Sequence, residues 1–429
     1  MVPERSPSLL DLPSGRLDLS RRQLLGGLGL ATAGVAGATT QMGVGPVDGW
    51  TPSFGTWPHD RYGPGNAAAN RHANAPDEPT VAWRTQPVGQ VESIVVGPER
   101  VYVGGEVRRD GRHPGVAALD RADGDVLWTA NTGGATLALR RGSLYAAAYW
   151  GESQELVALD AATGDRQWGS SVESVRGLVV ADGTVFAGSH YRLTALDADS
   201  GRTLWTGDGG LPAVADSSLF VSGGGLRRHR QRRVSDVLTH GPPPVEWNVS
   251  GGGGLVSPAV ASDVAVVGQR RPPRSDDPSV YAFDLDTGER AWTAATPPED
   301  AFPVLTCSPA VGRRRGFFSY RERQGSDRYH ALVACSLDDG AEQWRWESSD
   351  WVTEVAVGGE TVLAGTGADS DTPGEGRSRL LGFTPGGDRK WSFETDYDVR
   401  AVAPVAETVF VGTTPDDDEG GPGVVYALR

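Results

Sequence analysis

Short apolar runs of three to five residues, each closed by a turn holding Gly or Asp, recur along this chain in place of the 3.6-residue stripe of an amphipathic helix. Leu178-Val179-Val180 is followed, across Ala181-Asp182-Gly183-Thr184, by Val185-Phe186-Ala187, which reads as two strands joined by a tight hairpin. Eight runs equivalent to the second of these recur: Val101-Tyr102-Val103, Leu144-Tyr145-Ala146, Val185-Phe186-Ala187, Leu219-Phe220-Val221, Ala265-Val266-Val267, Phe317-Phe318-Ser319, Val362-Leu363-Ala364 and Val409-Phe410-Val411. A tryptophan keeps the same beat. Trp83, Trp128, Trp168, Trp205, Trp247, Trp292, Trp344 and Trp391 are separated by 45, 40, 37, 42, 45, 52 and 47 residues.

Five copies share a fixed string before the tryptophan. Asp120, Asp160, Asp197, Asp284 and Ser336 precede it by eight residues, and Gly124, Gly164, Gly201, Gly288 and Gly340 by four. A hairpin explains the constancy: the Asp accepts hydrogen bonds from turn N–H groups, and the Gly supplies the positive φ that a longer hairpin with a bulge requires. Two copies depart, with Gly241-Pro242-Pro243-Pro244 before Trp247 and Thr384-Pro385-Gly386-Gly387 before Trp391. Two strands upstream and two in this hairpin make four per unit, so the period predicts an all-β fold, an eight-bladed β-propeller of four-stranded antiparallel blades. Trp83 has no such hairpin before it, and Val424 to Arg429 has no tryptophan strand after it. The N-terminal strand Thr80 to Arg84 is therefore expected to complete the last blade and close the ring. Each repeated tryptophan is expected in a seam between blades, where truncation to Ala would cost roughly 3 to 5 kcal/mol.

The string Ala-x-Asp-x-x-Thr-Gly-x-x-x-Trp, complete at Ala158 to Trp168 and Ala282 to Trp292, resembles the tryptophan-docking motif of the pyrroloquinoline quinone (PQQ) repeat family. That family includes quinoprotein dehydrogenases and non-enzymatic propellers like BamB, a scaffold of outer-membrane β-barrel assembly. Resemblance to the enzymes implies an adjacent Cys-Cys disulfide, calcium ligands drawn from Glu, Asn and Asp, and a catalytic Asp in the central channel. Here the two cysteines, Cys307 and Cys335, lie far apart in sequence, and no enzyme residue carries over. The resemblance therefore favours a BamB-like build, no catalytic residues and no cofactor; PQQ with calcium in a dehydrogenase, or a small-molecule or glycan-binding propeller, is the alternative.

Acidic residues outnumber basic ones by 55 to 40, for a formal net charge of −15, and Lys390 is the single lysine. This composition reads as a protein of a saline environment and argues against nucleic acid as a partner. Ser20-Arg21-Arg22-Gln23-Leu24-Leu25, an apolar run to Ala38 and the small-residue site Ala36-Gly37-Ala38 read as a twin-arginine export signal. The chain thus divides into a signal over 1–38, a Pro/Gly/Asn-rich arm over 39–78 and a propeller over 79–429. It is expected outside the cell or at its surface, peripheral to the membrane at most and monomeric. The arm's aromatic cluster, Trp50, Phe54, Trp57 and Tyr62, is expected on the propeller flank.

Candidate chemistry is sparse. Histidines 59, 72, 113, 190, 229, 240 and 330 lack metal-ligand spacing and read as ordinary surface residues. Cys307 and Cys335 are expected on the first and third strands of the sixth blade, too far apart for a disulfide, as two buried free thiols. Asn248-Val249-Ser250 matches the glycosylation acceptor pattern. Arginines gather where loops between strands two and three are expected: Arg227, Arg228, Arg230, Arg232 and Arg233 in the fourth blade, Arg270, Arg271 and Arg274 in the fifth, and Arg321, Arg323 and Arg328 in the sixth. The eighth offers Asp416, Asp417, Asp418 and Glu419 instead. Arg suits bidentate contact with carboxylate or phosphate, so the basic loops are candidate docking points for a protein or cell-surface partner, against the plainer reading of solvated loops.

Overall fold

Eight sheets follow one another around an axis, and the first strand of every blade touches the first strands of both neighbours, so these strands form a closed inner ring. This computed structural model describes residues 49–105, 115–148, 155–230, 241–250, 256–261, 263–269, 278–294, 304–324, 327–368, 377–415 and 421–429. The export-signal motif, Arg232, Arg233, Arg270, Arg271, Arg274 and the Asp416–Glu419 run lie outside the described residues. Every regular element among them is a strand.

In the first blade Ser93–Val96, Arg100–Gly104, Val116–Asp120 and Val126–Ala130 pair in antiparallel order from the axis outward. The next five blades repeat it. Their inner strands are Thr136–Arg140, Gly177–Ala181, Leu211–Ala215, Ala259–Ala261 and, interrupted, Val304–Leu305 with Ala310–Val311. The seventh blade opens with Trp351–Gly358 and adds the short parallel strand Ala69–Asn70 from the arm. Asp398–Val405, Thr408–Thr414 and Val425–Leu428 make the eighth, whose outer strand is Val81–Thr85 from the other end of the chain. Trp83 stands opposite Ala427 and Thr85 opposite Val425, and Thr80 and Arg429 exchange backbone hydrogen bonds of 2.7 and 2.9 Å. Closure in this way removes the open sheet edge that a linear stack of blades would leave.

Alternate residues along each strand face the two neighbouring blades, and the core is a set of apolar layers between blades. Phe317, Leu332 and Ala334 of blade six pack with Val355, Leu381 and Phe383 of blade seven, while Phe318, Tyr320 and Val333 face blade five.

The outer hairpins set the seams. In all eight pairs of third and fourth strands the register slips by one residue just before the tryptophan, a bulge that turns the indole toward the next blade. There it lies over the hairpin glycine of that blade: Trp83 over Gly124, Trp128 over Gly164, Trp168 over Gly201, Trp247 over Gly288, Trp292 over Gly340 and Trp344 over Gly387. These glycines have φ between 69° and 97°, and a Cβ on any of them would stand 2.4 to 2.8 Å from the indole. The same six indoles donate Nε1–H to carbonyls of Arg121, Ala161, Ala198, Leu285, Leu337 and Pro385, at 2.6 to 3.3 Å. Asp120, Asp160, Asp197 and Asp284 accept turn N–H groups at 2.7 to 3.1 Å, which holds the loop that presents each glycine and carbonyl. Trp205 is buried in its seam.

Trp391 is the exception. The hairpin it would meet is split between the two ends of the chain, and its buried Nε1 has no acceptor. Ala75 of the arm shares its apolar cluster, and Asp77 pairs with the neighbouring Lys390.

Candidate functional site

The arm does not lie on the flank. Residues 49–74 fill the end of the central channel, and they do so because the inner strands leave backbone donors there. An innermost strand pairs on one side only, so alternate N–H groups point at the axis without a partner. One such residue recurs at the same register in every blade: Val96, Leu139, Val180, Val214, Val260, Val311, Val357 and Pro404, opposite Val101, Leu144, Val185, Leu219, Ala265, Gly316, Val362 and Val409. Six donate to arm carbonyls, of Trp57, Pro58, Pro64, Gly65, Ala67 and Ala68, at 2.7 to 2.8 Å. The seventh, Val180, donates to Nε2 of His59 at 3.1 Å. The eighth position is Pro404, which has no N–H to satisfy. Its carbonyl accepts from Asn70 Nδ2 at 3.0 Å.

Side chains complete the attachment. Trp50 Nε1 donates to the Val180 carbonyl at 2.9 Å and Asn66 Nδ2 to that of Pro212 at 2.8 Å. Trp57 is buried, bridging the Val96 strand, and its ring meets Tyr62 at 5.1 Å between centroids.

The centre of the plug is His59-Asp60-Arg61. Asp60 accepts from the Ser93 hydroxyl, from Thr136 Oγ1 at 2.5 Å and from Leu137 N at 3.4 Å, tying blades one and two. Burial pushes its carboxyl up to about 6, against the pull of those donors and with a small push from Glu354. Arg61 reaches the other way, pairing with Glu354 at 2.8 Å and donating to the carbonyls of Ser308 and Pro309 at 3.0 and 2.7 Å. Glu354 is nevertheless raised, because burial outweighs the attraction of Arg61. Burial, and then the nearby Arg140 charge, lower His59 to about 3, so it stays neutral and accepts from Val180. Arg140 itself stacks over Trp50, 3.9 Å from the ring centroid.

The expected arginine sector is not a single loop surface. Arg227 and Arg228 lie on the third strand of blade four, Gly225–His229, because that blade lengthens the segment after strand three, not the one before it. Both are engaged within the fold. Arg227 meets the Asp208 carboxylate at 3.3 Å and the carbonyls of Asp208 and Gly209. Arg228 spans the seam to blade five, donating to Ser218 Oγ and the Leu285 carbonyl and pairing with Glu246 and Asp286. Arg230 N donates to the Pro244 carbonyl, and Arg321 sits on the second strand of blade six.

Surface placement also fails for three histidines, since His59, His229 and His330 are buried. His229 Nδ1–H donates to the Pro243 carbonyl, 2.8 Å away, inside the proline-rich substitute for the usual hairpin. Cys307 and Cys335 are buried thiols that form no disulfide, and burial pushes Cys335 up to about 12. Asn248 is exposed on the outer strand of blade four.

No three His, Cys, Asp or Glu side chains converge among the described residues. The plug's own Asp60 is held by Ser93 and Thr136 of the ring, and Glu354 of the ring is held by the plug's Arg61.

Fold and site together define an eight-bladed, tryptophan-docked propeller with its channel mouth filled by its own N-terminal arm. The chain belongs to the PQQ-repeat family described as outer membrane protein assembly factor BamB, which matches residues 72–229, 192–319 and 276–428. Among solved structures, BamB from Moraxella catarrhalis is 13% identical with a TM-score of 0.59, covering 82% of this chain and 98% of that one. Quinohemoprotein alcohol dehydrogenase from Comamonas testosteroni is 13% identical with a TM-score of 0.63, covering 88% and 81%. At such identities the likeness speaks for the fold alone. A serine/threonine-protein kinase, AfsK of Streptomyces griseus, is 33% identical over 172 residues, which span 36% of this chain and 20% of that protein.

The plug was not legible as such from the sequence, although one signal was present. Pro404 occupies a strand position where every other blade has Val or Leu.

Proposed function

We propose that this chain is an exported, non-catalytic propeller that serves as a protein-interaction or cell-surface scaffold. The observation that carries this reading is the self-filled channel: arm residues meet the axial N–H of seven blades, Asp60 engages Thr136 of the ring and Arg61 engages Glu354. A channel so occupied favours presentation of a rigid ring over chemistry on its axis. The family's description as an assembly factor supports a protein partner, and the twin-arginine motif supports export of a folded ring.

The test is to titrate the full chain, in high salt, with PQQ and calcium, following the quinone spectrum and dye reduction with alcohols and aldose sugars. Neither spectral change nor turnover is expected. Saturable quinone binding with dye reduction would replace the scaffold with a dehydrogenase.

A further inference from the structure

We propose that the channel mouth is a receptor for a turn-rich peptide, and that residues 49–74 are its resident ligand, held in cis and replaceable in trans. This does not depend on the scaffold reading. Three features separate the arm from the ring it fills. It builds no sheet of its own, contributing only the two-residue strand Ala69–Asn70. Its polar anchors fall on the ring: Trp50 and His59 on blade three, Asp60 on blades one and two, Arg61 on blades six and seven, Asn66 on blade four and Asn70 on blade eight. And its link to the ring, Asp77 and Glu78, is exposed.

Recognition is divided between the main chain, which supplies attachment, and the side chains, which supply selectivity. The ring presents seven axial N–H groups at equivalent positions, six met by arm carbonyls and one by His59 Nε2, so a chain that turns to place acceptors at matching stations satisfies them. Selectivity comes from the middle. A carboxylate is read by Ser93 and Thr136, and a guanidinium in the next position by Glu354 and the carbonyls of Ser308 and Pro309. The ligand class is therefore a turn-forming, Pro/Gly-spaced peptide with an adjacent acid and arginine at its centre.

Full-length protein with a protease site introduced across Asp77–Glu78 provides the test. After cleavage in the folded state, the arm should co-elute with the ring in size exclusion. A fluorescent synthetic peptide spanning residues 49–78 should then replace it at one per ring. The same peptide carrying Arg61→Ala should compete roughly ten-fold or more weakly, since it leaves Glu354 and two carbonyls without their donor. In the uncut chain, Arg61→Ala should weaken the resident arm and admit the unmodified labelled peptide. The inference is overturned if the cleaved arm resists displacement by excess peptide, if a scrambled peptide displaces it equally, or if cleavage unfolds the ring, which would make the arm part of the fold and not a ligand.

Discussion

Gly164 and Gly142 offer a matched pair that isolates the worth of one blade seam. Both sit in blade two with nearly the same backbone, φ of 80° and 82°. Around a Cβ built on Gly142 nothing lies within 4 Å, whereas one on Gly164 stands 2.7 Å from Trp128 Cδ2 and Cε3. Gly142→Ala should therefore lose only the conformational share, about 1 to 2 kcal/mol. Gly164→Ala loses that and must also push the indole back by about 1 Å to reach ordinary carbon contact. Trp128 cannot retreat freely, because its Nε1 is held by the Ala161 carbonyl at 3.3 Å and its ring packs on Tyr102. Overpacking of that kind adds about 1 to 3 kcal/mol, for a total of roughly 2 to 5. Guanidinium unfolding followed by tryptophan fluorescence measures the difference. In a Trp128→Ala background, Gly164→Ala should fall back to the Gly142→Ala value. Equal loss from the two glycine variants in the parent chain would refute the docking role assigned to the indole.

The plug makes stability depend on pH through two neighbours of opposite sign. His59, lowered from 6.5 to about 3, contributes stability that is full above 6.5 and lost as pH falls toward 3; Asp60, raised from 3.8 to about 6, contributes stability present below 3.8 and lost as pH rises through 6. The two oppose each other between pH 6 and 4, so His59→Gln should leave a protein that gains stability on mild acidification, and a parent-like loss in that variant would contradict the assignment. Arg61→Met should destabilise by about 3 to 5 kcal/mol by leaving Glu354 buried without its cation, more at high pH than low, while the double variant with Glu354→Gln should recover part of the loss in thermal melts. Cys307 and Cys335 should ignore a thiol reagent at pH 8 in the native protein and react fully in denaturant, with an intact mass showing both reduced; labelling of the folded chain would move them out of the core.

How much was legible from the chain follows from the range of the contacts concerned. Blade count, strand order and the bulged hairpins are written in local pairings repeated at fixed spacing, where each copy confirms the others, and the closure of Val81–Thr85 on Val425–Leu428 follows because each end lacks the strand that the other holds. A docking glycine and the indole over it obey the same repeat, so both positions could be read from the chain, while the stacking of one on the other came from the seam between blades. The arm occurs once and has no repeat to calibrate it. Its partners lie as far as 334 residues away, and what draws it in is a ring of axial N–H groups that exists only after eight inner strands have assembled. For the same reason Arg227 and Arg228 looked like free loop charges until the neighbouring blades supplied Asp208 and Asp286 and their own outer strand supplied Glu246. Sequence fixes a pattern wherever a bond recurs with the repeat; groups that meet across the axis or across a single seam acquire their partners, their burial and their protonation only from the closed ring.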